Sequence, residues 1–231
     1  ALVIGAEIAF AFKLNRMVIG LIMAFGIGTL VSSISFELVE ESLEVSDGWL
    51  VGLGLAVGAA AFFLGDRAID RMGGARRKDP DGGEEGGGDS GLGIALGSAL
   101  DGIPETAALG ISLAAGGGVS LPLLVAIWVS NFPESLGSSV NMVKAGRPKN
   151  WVRGLWWGIV ALSTISAAIG YWIISNTDTA TGAFVQAFAA GALLTMIVDE
   201  MAPEAFGKSA LFAGLATTAG FILAVLLTTL E

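Results

Sequence analysis

The sequence predicts an all-α fold: a single domain over residues 1–231, built as a polytopic membrane bundle of about eight helices. Three observations carry that expectation. Of 231 residues, 54% are hydrophobic and 14% charged, with a mean hydropathy of +0.75, whereas a soluble domain of this length needs far more polar surface. All 12 lysines and arginines fall in four clusters (Lys13 and Arg16; Arg67, Arg71, Arg76, Arg77 and Lys78; Lys144, Arg147, Lys149 and Arg153; Lys208). Roughly 50 or more residues without a positive charge separate successive clusters, enough for two spans and a tight turn. Finally, an acidic proline motif recurs inside segments that are otherwise apolar enough for lipid.

Taken in order, the spans are expected at about 1–12, 17–43, 49–70, 91–115, 120–143, 154–175, 182–201 and 209–230. Residues 1–12 are apolar but reach only about 18 Å as a helix, short of a ~30 Å hydrocarbon core, and read as the end of a first span. They lack the basic start and small-residue cleavage site of a secretory signal. The hairpin tips near Glu44–Asp47, Gly116–Ser120 and Ser175–Thr181 carry no positive charge, so the positive-inside rule puts the basic clusters in the cytoplasm and both termini outside. The 34 glycines suit close helix packing, with Gly54/Gly58 and Gly93/Gly97 at small-xxx-small spacing. Residues 73–90, rich in Gly, Asp and Glu, have the composition of a flexible cytoplasmic linker between spans three and four.

Composition also removes whole classes of chemistry. The chain has no cysteine and no histidine, which excludes disulfides, thiolate and imidazole metal sites and His-based acid–base catalysis. A net charge of −9 argues against nucleic acid as a partner. Any metal ion must be held by oxygen ligands, with methionine as a remote option.

The motifs read Asp101-Gly102-Ile103-Pro104-Glu105, then Asn131-Phe132-Pro133-Glu134, and more loosely Asp199-Glu200-Met201-Ala202-Pro203-Glu204. A carboxylate at bilayer depth costs at least ~2.5 kcal/mol, so several together call for a compensating cation. Asp101 and Glu105 are one helical turn apart and share a face, and Ser130 and Glu134 repeat the spacing in the next span. Pro104 and Pro133 each remove a backbone N–H and clash with the carbonyl one turn back, of Leu100 and Val129, so kinks and spare acceptors are expected there. No lysine or arginine is expected at that depth to neutralise the pair. In span seven Glu200 and Glu204 share a face and could close the site or guide release, although an acidic helix end explains them as well. In span two Glu37, Glu40 or Glu41, and Glu44 form a stripe rising to the outer surface, where it would concentrate cations at an entrance.

These residues resemble the ZIP (Zrt/Irt-like) family of divalent-metal transporters, in particular its prokaryotic branch. Its fourth and fifth spans carry His-Asn-x-Pro-Glu-Gly-like and His/Gln-Glu/Asp-x-Pro-Glu-Gly-like motifs, to which Asp101–Thr106 and Ser130–Ser135 are similar. Asp199–Ala205 is similar to the family's His-Glu-x-x-Pro-Glu element. The resemblance implies that Glu105 and Glu134 correspond to two shared glutamates able to bridge metal ions. Asp101, Ser130 and Asp199 stand at positions that usually carry His or Gln, Gly102 replaces an asparagine, and Asn131 offers an amide oxygen.

It further implies transport of divalent ions toward the cytoplasm, with Asp101, Glu105, Asn131 and Glu134 as the shell, Glu200 completing or gating it, and Glu37, Glu41 and Glu204 at entrance and exit. Zn, Mn, Fe, Cd or Mg would be substrate and no cofactor is implied. The expected setting is a prokaryotic plasma (inner) membrane, with the lipid bilayer as partner and a homodimer left open. Exchanging imidazole for carboxylate favours harder ions such as Mn²⁺, Fe²⁺ or Mg²⁺ relative to His-containing relatives. A non-enzymatic role is expected. The competing readings are a non-transporting metal sensor or scaffold, a passive cation channel, and an intramembrane aspartyl protease using Asp66 and Asp101.

Overall fold

The computed structural model describes residues 1–12, 15–71, 90–116, 118–209 and 211–230. Among them the chain forms eight helices and no strand: α1 (Leu2–Ala11), α2 (Arg16–Val45), α3 (Gly48–Arg71), α4 (Ser90–Gly116), α5 (Leu121–Lys144), α6 (Lys149–Ser175), α7 (Thr179–Ser209) and α8 (Ala213–Thr228). Four of them, α2, α3, α6 and α7, are long and apolar enough to cross a membrane by themselves, and α1 and α8 are shorter apolar helices. The expected linker 73–90 lies outside the described residues up to Ser90, where α4 begins.

Local chemistry sets the helix ends. Asn15 caps α2 by accepting from the Met17 N–H at 2.9 Å. Ser120 caps α5 through the Leu123 N–H at 3.2 Å, with Pro122 in the first turn where its missing N–H costs nothing. Asp178 caps α7, and its bonds from the Thr181 N–H (3.0 Å) and hydroxyl (2.8 Å) hold its carboxyl below the usual range. The α5–α6 connection is a Schellman turn: Gly146 sits at φ +85°, its N–H reaches the Val143 carbonyl, and the Arg147 N–H reaches that of Met142, both at 3.0 Å. Pro148 then caps α6.

Two expected boundaries move. Helix α6 begins at Lys149, ahead of the expected 154, because its basic first turn is tied down: Arg153 grips both carboxylate oxygens of Glu7 on α1, and the Lys149 ammonium reaches the Phe10 carbonyl at 3.3 Å. Helix α7 continues through Ser209 instead of ending near 201. A π-helical turn over Ile197–Met201 precedes Pro203, and an eight-residue α-helical end, Ala202–Ser209, follows. A second π turn, Ile34–Glu40, interrupts α2. Such turns insert a residue into the helical count and shift which side chains face inward.

Packing is governed by backbone contact at glycines, and three helix pairs do this reciprocally. Between α2 and α8, Gly28 lies on the Thr217 carbonyl and Gly220 on that of Phe25. Between α3 and α7, Gly58 lies on Phe188 and Gly191 on Leu55; between α4 and α6, Gly110 lies on Ala167 and Gly170 on Ala107. In each case an added Cβ would run into a backbone oxygen of the facing helix. These pairs are among the most extensively packed, as is α2 against α7, followed by α2 and α1 against α5. Of the spacings expected to pack, Gly54 and Gly58 both meet α7, while Gly93 lies outside the described side chains. Outward surfaces are apolar: Trp157, Ile165, Ile169 and Trp172 on α6 are each more than half exposed, as lipid contact requires and water would penalise.

Two outcomes follow. Gly191→Ala must push α3 and α7 apart and should cost about 1–3 kcal/mol, whereas Gly52→Ala, with nothing within 4 Å, should be neutral or stabilising by up to ~1 kcal/mol. Thermal unfolding in detergent compares the two. Gly146→Ala has open space around it too, so its loss, about 1–2 kcal/mol from the left-handed backbone alone, should appear without any change in helix packing.

Candidate functional site

The acidic proline motifs fall where α4 and α5 face α2 and α7. One pocket is lined by Asp101 and Glu105 of α4, Ser130 and Glu134 of α5, Met23 of α2, and Met196, Glu200, Met201 and Glu204 of α7. It is therefore a four-helix site and is not confined to the α4/α5 pair. Helical spacing explains the convergence: Asp101/Glu105, Ser130/Glu134, Met196/Glu200 and Glu200/Glu204 each lie four residues apart and stack on one face.

Glu105 is the deepest acid of the pocket, at 2% exposure. A buried carboxylate needs donors for its oxygens, and both come from α5. The Ser130 hydroxyl is 2.9 Å from Oε1, and the Asn131 amide nitrogen donates to Oε2. Those donors are held in turn by the Ile127 carbonyl, 3.1 Å from the Ser130 hydroxyl and 2.8 Å from the Asn131 nitrogen. Glu134 is hydrogen-bonded to Ser98 of α4 and lies within electrostatic reach of Glu105, Glu200 and Glu204, while its Oε1 is buried without a hydrogen-bond partner.

Helices α4 and α5 run unbroken through Pro104 and Pro133. Side chains reach the carbonyls of Gly102, by Thr106 at 2.6 Å, of Ile103, by Ser166 of α6 at 2.8 Å, and of Phe132, by Ser135 at 3.0 Å, besides that of Ile127.

The remaining expected residues sit elsewhere. Asn131 stands behind Glu105 as a donor and is not part of the pocket wall. Asp199 is exposed on the π turn, while its neighbour Glu200 lines the pocket. Glu37 and Glu41 gather in a separate polar cluster where α2 meets α7 and α8. Glu37 is buried at 5% exposure, Thr228 donates to its Oε1 at 3.3 Å, and the Gln186 amide bridges the Glu37 carbonyl (2.9 Å) and Glu41 Oε2 (2.7 Å). Glu40 and Glu44 are exposed, so the expected stripe is interrupted at Glu37. Asp66 is buried but is not among the residues lining the pocket of Asp101.

Sequence reasoning missed three methionines and a lysine. Met23, Met196 and Met201 have no motif to mark them, although Met196 lies one turn before Glu200. Lys208 ion-pairs with Glu204 on its own helix. The i,i+4 Glu–Lys spacing was the signal for it. Among the described residues no three Asp or Glu side chains are gathered closely enough to hold one metal ion as they stand. The Glu105 oxygens are engaged by Ser130 and Asn131, and Glu204 by Lys208.

No family model matches the chain. Among curated proteins, one from Arabidopsis thaliana bearing the name "Putative zinc transporter" is 29% identical over 210 residues, covering 89% of this chain and 33% of its own length. The chain thus spans about a third of the length of that relative. Its apolar helices and this similarity agree on an integral membrane protein related to one named for metal transport.

Proposed function

We propose that the protein carries divalent metal ions across the membrane toward the cytoplasm, through the pocket between α4/α5 and α2/α7. The observation that carries the reading is the convergence of Asp101, Glu105, Glu134, Glu200 and Glu204 with Ser130 in one pocket. That many carboxylates inside an apolar bundle favour a cationic partner. A channel for anions or a cavity for apolar ligands would not be lined this way.

The ion enters from the acidic end past Glu41 and Glu44, sheds part of its hydration shell, and takes oxygens from Asp101, Glu105 and Glu134, with Glu200 closing the shell from α7. Ser130 and Asn131 hold Glu105 ready and hand its oxygens over as the ion arrives. The packing suggests the moving parts. Helix α4 pairs with α6, α2 with α8 and α3 with α7, while α5 packs on both α1 and α2. The pocket lies between the α4/α6 pair and the α2/α8 and α3/α7 pairs, so a shift of the first against the others would open it to alternate sides.

Carboxylate oxygens suit Mn²⁺ and Fe²⁺, the nearby thioethers soften the site toward Zn²⁺ and Cd²⁺, and Mg²⁺ gives up water reluctantly. The zinc in the Arabidopsis relative's name supports including Zn²⁺.

Uptake into proteoliposomes decides the matter. Saturable Zn²⁺ or Mn²⁺ flux should exceed Mg²⁺ flux and fall at least about tenfold in Glu105→Gln and Glu134→Gln. Asp199→Asn, off the pocket wall, should lose less than Glu200→Gln. Metal binding without flux would favour a sensor, and unsaturable conduction a channel. Protons compete with metal ions for carboxylate oxygens, so uptake should weaken from about pH 8 to about pH 5.5. A flat profile would exclude proton competition at the site.

A further inference from the structure

A lysine in the last turn of a membrane helix ordinarily lays its stem on apolar surface and puts its ammonium in water. Lys208 does the reverse. Its side chain is only 8% exposed, while that of its partner Glu204 is 37% exposed. The ammonium pairs with Glu204 Oε1 and lies 4.0 Å from the Met23 sulfur. Glycines on the two facing helices make the space: a Cβ on Gly20 of α2 would be 2.6 Å from Lys208 Cβ, and one on Gly137 of α5 would be 3.6 Å from its ammonium. A positive charge from α7 thus crosses the seam between α2 and α5. It touches two residues of the pocket wall, Glu204 and Met23, on the side of the pocket nearer the basic helix ends.

We propose that Lys208 is a tethered counter-cation of the transport site: its ammonium occupies Glu204, closes the exit at the basic end, and competes with the incoming divalent ion for the site's negative charge. The inference rests on the transport reading. An ion bound beside Glu200 and Glu204 meets a charge of its own sign one turn beyond, which weakens its binding and bars its way. Release requires the ammonium to swing aside, with Glu204 passing from lysine to metal ion and back. The reciprocal coupling of two ligands for one carboxylate makes the expected effect calculable in sign: removing one strengthens the other.

The test is equilibrium Zn²⁺ binding and Zn²⁺ uptake by the full chain in proteoliposomes. Lys208→Met, matched in length, should bind Zn²⁺ roughly tenfold tighter, with a lower KM and a reduced maximal rate. Lys208→Arg should restore wild-type binding. In a Glu204→Gln background the same lysine removal should tighten binding much less. A lysine that only braces the helix would instead leave affinity unchanged or weaken it in both variants, and that result overturns the proposal.

Because the chain has no cysteine of its own, Gly137→Cys gives a second readout that does not depend on the Met variant folding. In otherwise wild-type protein its thiol should be shielded from an impermeant reagent on the basic side and become reactive when Mn²⁺, a harder ion with little preference for thiolate, is added. Equal labelling with and without Mn²⁺ overturns the proposal. Wild-type flux with unchanged Lys208→Met affinity removes this inference alone. A wild-type chain that binds neither Zn²⁺ nor Mn²⁺ removes the transport reading and this inference together.

Discussion

Charge burial in an apolar bundle is the constraint on which the arrangement depends. Carboxylates cannot sit among these helices unless each is given donors, a counter-charge or water, and the structure shows how particular ones are provided for. Glu105 takes a hydroxyl and an amide from the neighbouring helix. Glu204 takes an ammonium from its own helix. Glu37, away from the pocket, takes a threonine hydroxyl from α8. These are weak, exchangeable partners by comparison with a doubly charged ion, as the proposed transport requires of partners that must be given up as well as held.

The positions of the acids depend in turn on how closely the helices approach. Reciprocal glycine contacts bring α2 to α8, α3 to α7 and α4 to α6 at backbone distance. Without a hydrophobic force between helices in lipid, such packing is a principal source of association. The pocket lies between the α4/α6 pair on one side and the α2/α8 and α3/α7 pairs on the other, with Ser130 of α5 against Gly26 of α2 at the junction. The two π turns add a local adjustment. In α7 the turn spans Glu200, which lines the pocket, and Asp199, which is exposed; in α2 it spans buried Glu37 and exposed Glu40.

Much of this was legible in the chain. The spacing of basic clusters placed eight helices with most ends within a few residues, because the positive charges of a hydrophobic chain can gather only where helices meet water. The proline motifs gave Asp101, Glu105, Ser130 and Glu134, since four-residue spacing fixes which side chains share a helix face. The long C-terminal end of α7 was missed because Pro203 reads as a break, yet a π turn before it lets the helix continue. The methionines were missed because thioethers carry no pattern that sets them apart from packing residues.

By itself, then, the sequence determined the helical class, the number of helices and the absence of cysteine and histidine chemistry. All three follow from composition and periodicity along one chain. Only the tertiary structure decided which helices pair, that α2 and α7 complete the pocket, and that Asn131 serves Glu105 as a donor. It also decided that the lone lysine of α7 turns inward to Glu204. Each of those depends on contacts between residues far apart in sequence, set by where glycines let backbones meet, and no local pattern encodes that meeting.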